Sequence, residues 1–524
     1  MDSLVTVFHA PIRRSWRRMA AACAAALSVL ASGCASLPPL QNRTDTYSLP
    51  PSQQGPLGSA ILPLSREHPG LTGVTAIDDG RVAFGVRIAL ARQAARTIDI
   101  QTFIWHDDAT GMLLYDAALQ AAQRGVRVRM LLDDANVTAA IDPILALLSQ
   151  QPNLEVRLYN PFASRGSKAA GFVTDFERVN HRMHNKSFTV DNVIAVVGGR
   201  NIADEYFEAG EQFGLVDLDV VAIGEAVGAV SAEFDLFWNS PSAYPAKTVL
   251  AGVEPMRRDS MARRVETLIA DPAAAKYAEA IRHSELTQRL LDGSAKPEWT
   301  RVTLVHDDPA KTTSPESMSE LQLLPKLEVA FGQPVHALDL ISPYFIPGAT
   351  GEASLTAMAQ RGVKVRVLTN SLAANDVKAA HAGYLKSRED LLKAGVELLE
   401  VRPDASTIEA HAREIGHHSK AGLHAKTYQV DGRAIFVGSF NLDPRSSKLN
   451  TEMGFVIESS TLAQRLSHAL DQAYPSVAWR VRRNEGGQLL WSDGSREYDT
   501  DPQTSLFERG SVRFMSWMPI DWLL

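Results

Sequence analysis

From residue 76 to residue 478 the chain alternates short apolar runs, rich in β-branched residues, with longer stretches in which apolar positions have helical spacing. The run 97–105 has the composition of a buried strand, and the stretch 111–123 is predicted to be a helix that ends near Gly125. The run 124–132 is the next predicted strand. Because strands separated by helices form parallel or mixed sheets with helices on both faces, the pattern predicts an α/β fold.

The same order of elements occurs a second time along the chain. An internal repeat of this length indicates two copies of one structural unit. We therefore predict two domains, each a mixed β-sheet flanked by helices. The matching segments are 97–105 with 337–345, 124–132 with 361–369, and 154–158 with 396–400.

Each half also carries one copy of the pattern H-x-K-x4-D, followed by a glycine turn and an asparagine. A single copy of so short a pattern would be weak evidence, but two copies with the same downstream spacing indicate a duplicated half of an active site. Within each copy we predict a strand, a turn at the aspartate and a returning strand. The first copy is His184, Lys186, Asp191 and Asn201, and the second is His424, Lys426, Asp431, Ser439 and Asn441.

Two histidines can cleave a phosphodiester by covalent catalysis. One imidazole attacks phosphorus while another group protonates the leaving oxygen on the opposite side. His184 and His424 can do this if the halves meet across a pseudo-two-fold axis and share one active site. Lysine and asparagine side chains would stabilise the negative charge on the non-bridging oxygens, so we expect neither a metal ion nor another cofactor.

A histidine nucleophile also needs a carboxylate on its other nitrogen to fix its tautomer and orientation. Asp217 and Glu452 hold matching places after the two motifs and are the candidates for this role, with solvent-facing strand residues as the alternative. Asp191 and Asp431 are counted with the catalytic motif, but we interpret them as turn-forming and structural, because aspartates favour such turns by binding their own backbone. Lys186, Lys426, Asn201, Asn441 and Ser439 are the candidate phosphate ligands.

The remaining histidines near the motifs share no spacing between the halves. We therefore regard them as loop residues and expect no metal site among them. They are His181, His411, His417 and His418.

The first 33 residues have the features of a secretory signal: four arginines, an alanine-rich apolar run, and small residues before Cys34. The arrangement indicates a lipoprotein signal that is removed with Cys23 and leaves Cys34 as the lipidated residue. An uncleaved N-terminal membrane anchor is the alternative. The net charge is −7, and removal of the signal leaves about −10, which disfavours a nucleic-acid partner because phosphate binding needs surplus Lys and Arg.

The pattern and composition together divide the chain into six parts. Residues 34–75 are rich in Pro, Ser, Gly and Gln and are predicted to be a tether. For the tail we leave two interpretations open, a segment packed on the core and a membrane-interfacial segment, because its end is rich in Trp, Met and Leu. The parts are 1–33 signal, 34–75 tether, 76–250 first domain, 251–300 helical connector, 301–478 second domain and 479–524 C-terminal extension.

These motifs resemble those of the phospholipase D superfamily, and most closely the C-type bacterial cardiolipin synthases within it. The resemblance extends over nearly the whole chain after the predicted tether. It is carried by residues 182–186, 197–201, 368–377, 381–384, 423–426, 438–445 and 522–524.

The resemblance implies transfer of a phosphatidyl group through a phosphatidyl-histidine, with phosphatidylethanolamine or phosphatidylglycerol as donor and phosphatidylglycerol as acceptor. It also implies that His184 is the nucleophile and His424 the acid and then the base. The expected partners are phospholipids and a membrane, and the lipoprotein signal would place the enzyme in the bacterial envelope facing the periplasm. A hydrolytic phospholipase D, a nuclease of the same superfamily and a catalytically silent tethered protein are the alternatives.

Overall fold

The computed structural model describes residues 37–40, 43–166, 168–207, 213–271, 284–403 and 420–518. In this part of the chain, two large β-sheets of nine and ten strands each come from one half of the sequence. Helices lie between the strands along the chain, as the pattern of apolar positions predicts. The prediction of an α/β fold with two related halves is confirmed.

The first half contains a mixed sheet in the strand order β10-β1-β8-β6-β5-β2-β3-β4-β9. The strands of this half are β1 (Thr72–Ile77), β2 (Thr97–Thr102), β3 (Arg127–Asp133), β4 (Leu154–Tyr159), β5 (Ser187–Val190), β6 (Ile194–Gly198), β7 (Phe213–Val216), β8 (Asp219–Gly224), β9 (Ala243–Pro245) and β10 (Glu298–Thr300). Strand β7 lies outside this sheet. The helices of this half are α1 (Gly55–Glu67), α2 (Gly80–Gln93), α3 (Ala109–Gln123), α4 (Asp142–Leu148), α5 (Lys168–Thr174), α6 (Phe176–Val179), α7 (Glu225–Trp238), α8 (Ala246–Val249), α9 (Arg258–Ala270) and α10 (Glu285–Leu291).

The second half contains a mixed sheet in the order β11-β18-β17-β16-β12-β13-β14-β19-β20-β21. The strands of this half are β11 (Val302–His306), β12 (Ala337–Ile341), β13 (Lys364–Asn370), β14 (Glu397–Val401), β15 (Lys420–Leu423), β16 (Lys426–Val430), β17 (Ala434–Gly438), β18 (Met453–Ile457), β19 (Ala478–Arg483), β20 (Leu489–Ser492) and β21 (Glu497–Tyr498). Strand β15 lies outside this sheet and pairs with β7. The helices of this half are α11 (Leu323–Phe331), α12 (Gly348–Gln360), α13 (Lys378–Lys393), α14 (Ser460–Ser476) and α15 (Leu506–Ser516).

The two sheets repeat one topology. The order β8-β6-β5-β2-β3-β4 of the first sheet is reproduced by β18-β17-β16-β12-β13-β14 of the second. Even a buried ion pair is repeated: Arg129 Nε lies 2.7 Å from Asp99 Oδ1, and Arg366 Nε lies 2.6 Å from Asp339 Oδ1. The repeat seen in the sequence is therefore a repeat of structure.

An apolar interface joins the two halves. The strands that follow each histidine motif contribute its buried side chains, so the motifs are brought to one boundary. From the first half it contains Ala195, Val197, Val220 and Ala222, and from the second half Ile435, Val437, Phe455 and Ile457.

The structure corrects the predicted tether. The Arg43 guanidinium donates to the Asn239 carbonyl at 2.7 Å, and Leu57 and Ile61 on α1 are completely buried. Strand β1 begins at Thr72 and pairs with β8. Residues from 43 onward thus belong to the first domain, because their apolar side chains and backbone amides have partners there that a composition-based prediction does not see.

The connector and the C-terminal extension are also integral parts of the body. Helix α9 in the predicted connector buries Met261 and Val265 against the core of the first half. Strand β19 pairs with β14, so the predicted domain end at residue 478 cuts through the second sheet. Val512 on α15 is completely buried in a cluster with Leu372.

Among the described residues, no helix has the length and apolarity needed to cross a bilayer. The predicted signal, the lipidation site Cys34, residues 522–524 and His411, His417 and His418 lie outside the described residues.

Candidate active site

The two histidine motifs occupy equivalent places on the two sheets. His184 precedes β5, which forms a hairpin with β6, and His424 precedes β16, which forms a hairpin with β17. Both predicted hairpins are confirmed. Since β5 runs antiparallel to β2, its first residue lies at the carboxyl end of β2, the edge where α/β sheets place their ligand sites.

Backbone hydrogen bonds between the halves hold each histidine. The His184 N–H donates to the Thr451 carbonyl at 2.8 Å, and the His424 N–H donates to the Val216 carbonyl at 2.8 Å. Strands β7 and β15 pair in parallel just before Asp217 and His424. Each histidine is therefore fixed to the residue that precedes an acidic side chain of the other half.

The side chains repeat this crossing. His184 Nδ1 lies 2.8 Å from Glu452 Oε2, and His424 Nδ1 lies 2.6 Å from Asp217 Oδ2. Both carboxylates predicted to orient histidines are thus brought to a histidine, but each orients the histidine of the other half. With Nδ1–H donating to the carboxylate, Nε2 carries the lone pair and is the atom available for reaction.

Burial keeps both imidazoles neutral. It lowers the pKa of His184 well below its ordinary value, and the charges of Lys186 and Lys426 lower it further. Burial and Lys426 likewise lower the pKa of His424, to about 4, against the opposing effect of Asp217. Because the lysine of each half acts on the histidine of the other, the two rings share one electrostatic environment.

The two orienting carboxylates have different electrostatic properties. Burial tends to raise the pKa of Asp217, but the charge and hydrogen bond of His424, together with Lys426, lower it to about 2. Burial raises the pKa of Glu452 to about 7, even though Lys186 and the Ser439 hydroxyl oppose this. Asp217 is therefore a permanent anion at neutral pH, whereas Glu452 titrates there.

A sequence difference in the glycine turns accompanies this contrast. Ser439 in the second half donates its hydroxyl to Glu452 Oε2 at 2.5 Å, whereas its counterpart in the first half is Gly199. A Cβ atom on Gly199 would lie 2.2 Å from Asp217 Oδ1, so the close approach of the Asp217 carboxylate requires glycine. Ser439 was predicted to bind phosphate; its hydroxyl donates to Glu452 instead of facing an open position, and the phosphate role stays a prediction.

The two lysines lie beside their own histidines. The Lys186 ammonium donates to the His184 carbonyl at 2.6 Å, and that of Lys426 donates to the His424 carbonyl. Burial lowers the pKa of Lys186 to about 7 and that of Lys426 to about 8. A phosphate anion bound between them would favour their protonated forms.

The two asparagines complete the polar lining. Asn201 Oδ1 accepts from the Ile104 N–H at 3.2 Å, and its amide also interacts with the Tyr206 hydroxyl. The Asn441 side chain is buried, and its Oδ1 accepts no hydrogen bond from the part of the chain that the structure describes. Both asparagines are buried, and their role as phosphate ligands stays a prediction.

The motif aspartates lie at the other end of the hairpin strands from the histidines, and their inclusion in the catalytic set is corrected. The Asp191 carboxylate accepts the backbone N–H groups of residues 95–97, with a shortest distance of 2.7 Å to Arg96. Asp431 accepts those of residues 335–337, with 2.7 Å to His336. Both residues have positive φ, so they form the turn and fasten it to the start of the neighbouring strand.

Two aromatic rings and an ion pair were missed by the sequence reasoning. Phe103 contacts His184 edge-on and Tyr206 contacts His424 edge-on, with ring centroids 4.9 and 5.0 Å apart. Asp307 accepts from the Glu452 N–H at 2.7 Å and pairs with Lys311 at 3.0 Å. Phe103 and Tyr206 have no matching aromatic in the other half, so the repeat gave no signal for them.

Asp307 did have a signal in the sequence. Strands β1 and β11 hold equivalent places in the two sheets. Each contains a Val-Thr pair and is followed directly by two aspartates, at 78–79 and at 307–308. The predicted domain start at residue 76 divides the first of these strands and conceals the correspondence.

The site can therefore supply a neutral nucleophile, a second imidazole for proton transfer, and cationic and amide groups for an anionic phosphate. Within the described ranges, no cluster of three or more His, Cys, Asp or Glu side chains has the arrangement of a metal site. The His181 Nδ1–H donates to the Leu449 carbonyl at 3.1 Å.

Comparison with known sequences gives one family. The profile described as "Cardiolipin synthase, PLD-like domain" matches residues 88–238 and 329–474, and each match contains one histidine motif. Cardiolipin synthase C of Escherichia coli (strain K12) is 45% identical over 478 residues, which cover 89% of this chain and 99% of that protein. A cardiolipin synthase of Oceanobacillus iheyensis is 24% identical over 403 residues, covering 76% and 68% of the two chains.

Among solved structures, phosphatidylserine synthase of Haemophilus influenzae has the same fold. It superposes with a TM-score of 0.53 and 14% sequence identity, covering 84% of this chain and 91% of that one. At this identity the likeness concerns the arrangement of the two halves.

Proposed function

Because the chain belongs to the cardiolipin synthase, phospholipase D-like domain family, we propose that it joins two phospholipids into cardiolipin. It is a phospholipase D-type phosphatidyltransferase with a role in phospholipid synthesis. The observation that carries the proposed mechanism is the crossed pairing of His184 with Glu452 and of His424 with Asp217, because it supplies two differently poised imidazoles to one site.

In the first step, His184 Nε2 attacks the phosphorus of a donor phospholipid. The bond between phosphorus and the headgroup oxygen breaks, and His424 gives its proton to that oxygen. The products are a phosphatidyl-His184 and a free headgroup alcohol. Lys186, Lys426 and the two site asparagines stabilise the non-bridging oxygens as negative charge gathers on them.

In the second step, the free hydroxyl of phosphatidylglycerol attacks the same phosphorus. His424 removes the hydroxyl proton, the bond between phosphorus and His184 breaks, and cardiolipin leaves. His184 is then neutral again and His424 protonated, so the cycle closes without a cofactor.

The contrast between the two carboxylates supports this division of roles. His424, neutral in the empty site, must take up a proton as the anionic substrate binds, and the permanently charged Asp217 at 2.6 Å stabilises that protonated form. The nucleophile must stay neutral, and burial together with the charges of Lys186 and Lys426 lowers the pKa of His184 well below its ordinary value, while its partner Glu452 is not a permanent anion. We assign His184 as nucleophile and His424 as acid and base on this ground.

A phospholipase D that releases phosphatidic acid is the second candidate. It shares the covalent intermediate, and water would replace the lipid hydroxyl in the second step. A nuclease is disfavoured by the net charge of −7.

For the location, we propose a lipoprotein held by Cys34 in the bacterial envelope and facing the periplasm. The support is the basic, apolar and small-residue order of the first 33 residues. Membrane fractionation of Cys34→Ser checks the anchor: loss of processing is expected, and unchanged processing would refute lipidation.

The test of function is expression in a bacterial strain that makes no cardiolipin, followed by lipid analysis. Cardiolipin is expected, with phosphatidylethanolamine or phosphatidylglycerol consumed as donor. Accumulation of phosphatidic acid without cardiolipin would select the hydrolase instead. The double variant His184→Ala/His424→Ala is the control that assigns any product to this site.

A further inference from the structure

We propose that helix α15 and the adjoining Trp517 form a docking surface for a phospholipid bilayer, on the half of the body that carries His424. The proposal rests on the proposed function for its substrate, since it explains how a soluble body reaches a lipid headgroup. This membrane-contact surface lies in the C-terminal extension and takes no part in the chemistry of the active site.

The outward face of α15 is apolar. Leu506, Phe507, Phe514 and Trp517 are 82%, 83%, 62% and 78% exposed. Positions 507, 510, 514 and 517 are spaced by three or four residues, so they lie on one face of the helix, with Gly510 between the aromatic rings. A run of large apolar side chains on the solvent side is the reverse of the pattern of an ordinary surface helix.

The packing of the opposite face fixes this orientation. Val512 is completely buried against Leu372 and Ala382. Ser505 and Glu508 form a capping box at the start of the helix, and Lys378 Nζ pairs with Glu508 at 3.1 Å. The helix is thus anchored to the body by its less apolar side, and its aromatic side remains outside.

Charge favours a bilayer over a second protein copy as the occupant. Arg509 and Arg513 follow one flank of the aromatic face, one turn apart. Helices that lie in a membrane interface combine Trp, Phe and Leu on one face with basic side chains at its border. The basic border complements the anionic headgroups of phosphatidylglycerol, the proposed acceptor.

A series of neighbouring residues connects α15 with His424. Lys378, which pairs with α15, follows Asp376 by two residues, and Asp376 accepts the Tyr344 hydroxyl at 2.9 Å. The Asp376 charge also acts on Tyr206, whose ring contacts His424. A bilayer that receives the aromatic face would therefore lie against the half of the body that carries His424.

The test compares turnover of phospholipid in vesicles with turnover of a short-chain phospholipid dissolved as monomers. The full chain carries either Phe507→Glu/Trp517→Glu or the control Val329→Glu, whose valine is 85% exposed on α11. Vesicles contain phosphatidylethanolamine and phosphatidylglycerol. We expect the double variant to lose about tenfold or more on vesicles, with monomer turnover within about twofold, and the control to lose neither.

Fluorescence gives a second measurement that needs no turnover. Vesicles with brominated acyl chains should quench the wild-type emission more strongly than that of Trp517→Phe, because only the wild type places an indole in the bilayer at this position. Equal quenching, or equal vesicle turnover in all variants, would overturn the proposal. A change of oligomeric state in the double variant, measured by sedimentation, would identify a second copy as the occupant and overturn it too.

The two proposals fail differently. If the wild type made no cardiolipin but α15 still showed the quenching, the proposed function would fall and the docking surface would stand. If the double variant proved unstable, Phe514→Ser provides a milder change of the same face, with the same expected direction on vesicles.

Discussion

The two halves of the molecule build the same histidine–carboxylate pair with different acids. In the first half, the shorter Asp217 binds His424 of the second half, and Gly199 leaves room for its carboxylate. In the second half, the longer Glu452 binds His184 of the first half, and the Ser439 hydroxyl donates a hydrogen bond to that carboxylate. The pKa of the first acid is lowered to about 2 and that of the second is raised to about 7.

This difference shows how a duplicated site can divide one task into two. In the proposed mechanism, a permanent anion stabilises the imidazole that must hold a proton, whereas an acid that titrates near neutrality holds the other imidazole in place without strongly favouring its charged form. Identical motifs therefore do not imply identical roles.

The largest expected effect separates the two histidines themselves. His184→Ala and His424→Ala should each lower kcat by about 10⁴-fold or more on a natural phospholipid, because one removes the nucleophile and the other the acid. On a nitrophenyl phosphodiester, whose leaving group needs no proton, His424→Ala should recover a large part of its activity and His184→Ala none. Recovery in His184→Ala alone would exchange the two roles.

The next effect tests the two acids through the pH profile. In the wild type, kcat should rise as pH increases through about 7, where Glu452 loses its proton, because bound phosphate keeps Lys186 and Lys426 protonated. Glu452→Gln should remove this limb, because glutamine does not titrate. It should lower the rate by only about 10–100-fold, because Glu452 itself is protonated in about half of the molecules at pH about 7. Asp217→Asn should lower the rate by about 10³-fold and keep the limb, because Asp217 stays ionised above its pKa of about 2. Loss of the limb in Asp217→Asn would contradict the assignment.

The smallest effect on turnover is expected at the motif aspartates. Asp191→Ala should lower the free energy of unfolding by about 2–3 kcal/mol and leave kcat per folded molecule unchanged, because the carboxylate binds three backbone N–H groups and no ligand. Asp431→Ala, at a more exposed turn, should lose about 1 kcal/mol. Denaturant unfolding and activity measured on the same samples check both values.

The pH dependence of the Asp431 effect has a definite sign. Burial tends to raise its pKa, but three backbone N–H groups lower it below the ordinary value. Its contribution to stability is therefore present above the pKa of an unfolded aspartate and is lost as pH falls through the lowered value. A loss of kcat in either alanine variant, with the fold intact, would return these residues to the catalytic set.

The duplicated motif and the alternation of strands and helices predicted the fold class and most of the site. They succeeded because the same local pattern, hairpin and glycine turn recur in both halves, so each copy supports the interpretation of the other. His184 and His424, with Asp217 and Glu452, could be named on that basis alone.

What the sequence did not indicate was determined by contacts between distant segments. Nothing in the spacing says that Glu452 serves the histidine of the other half, since that depends on how two sheets pack. Ser439 has the right type for a phosphate ligand, but a neighbouring carboxylate binds its hydroxyl. Residues after Arg43 have the composition of a free linker and still pack, because Asn239 offers a carbonyl to the Arg43 guanidinium.

The exchange of carboxylates between the halves also bears on how such a chain could have arisen. A single ancestral half would hold no complete histidine–carboxylate pair and could have worked only as a symmetric dimer, with both acids necessarily alike. The division between Asp217 and Glu452 became possible once the two copies were fused and could mutate independently. Cutting the polypeptide between them should then give two fragments that are inert apart and regain turnover only on reassociation.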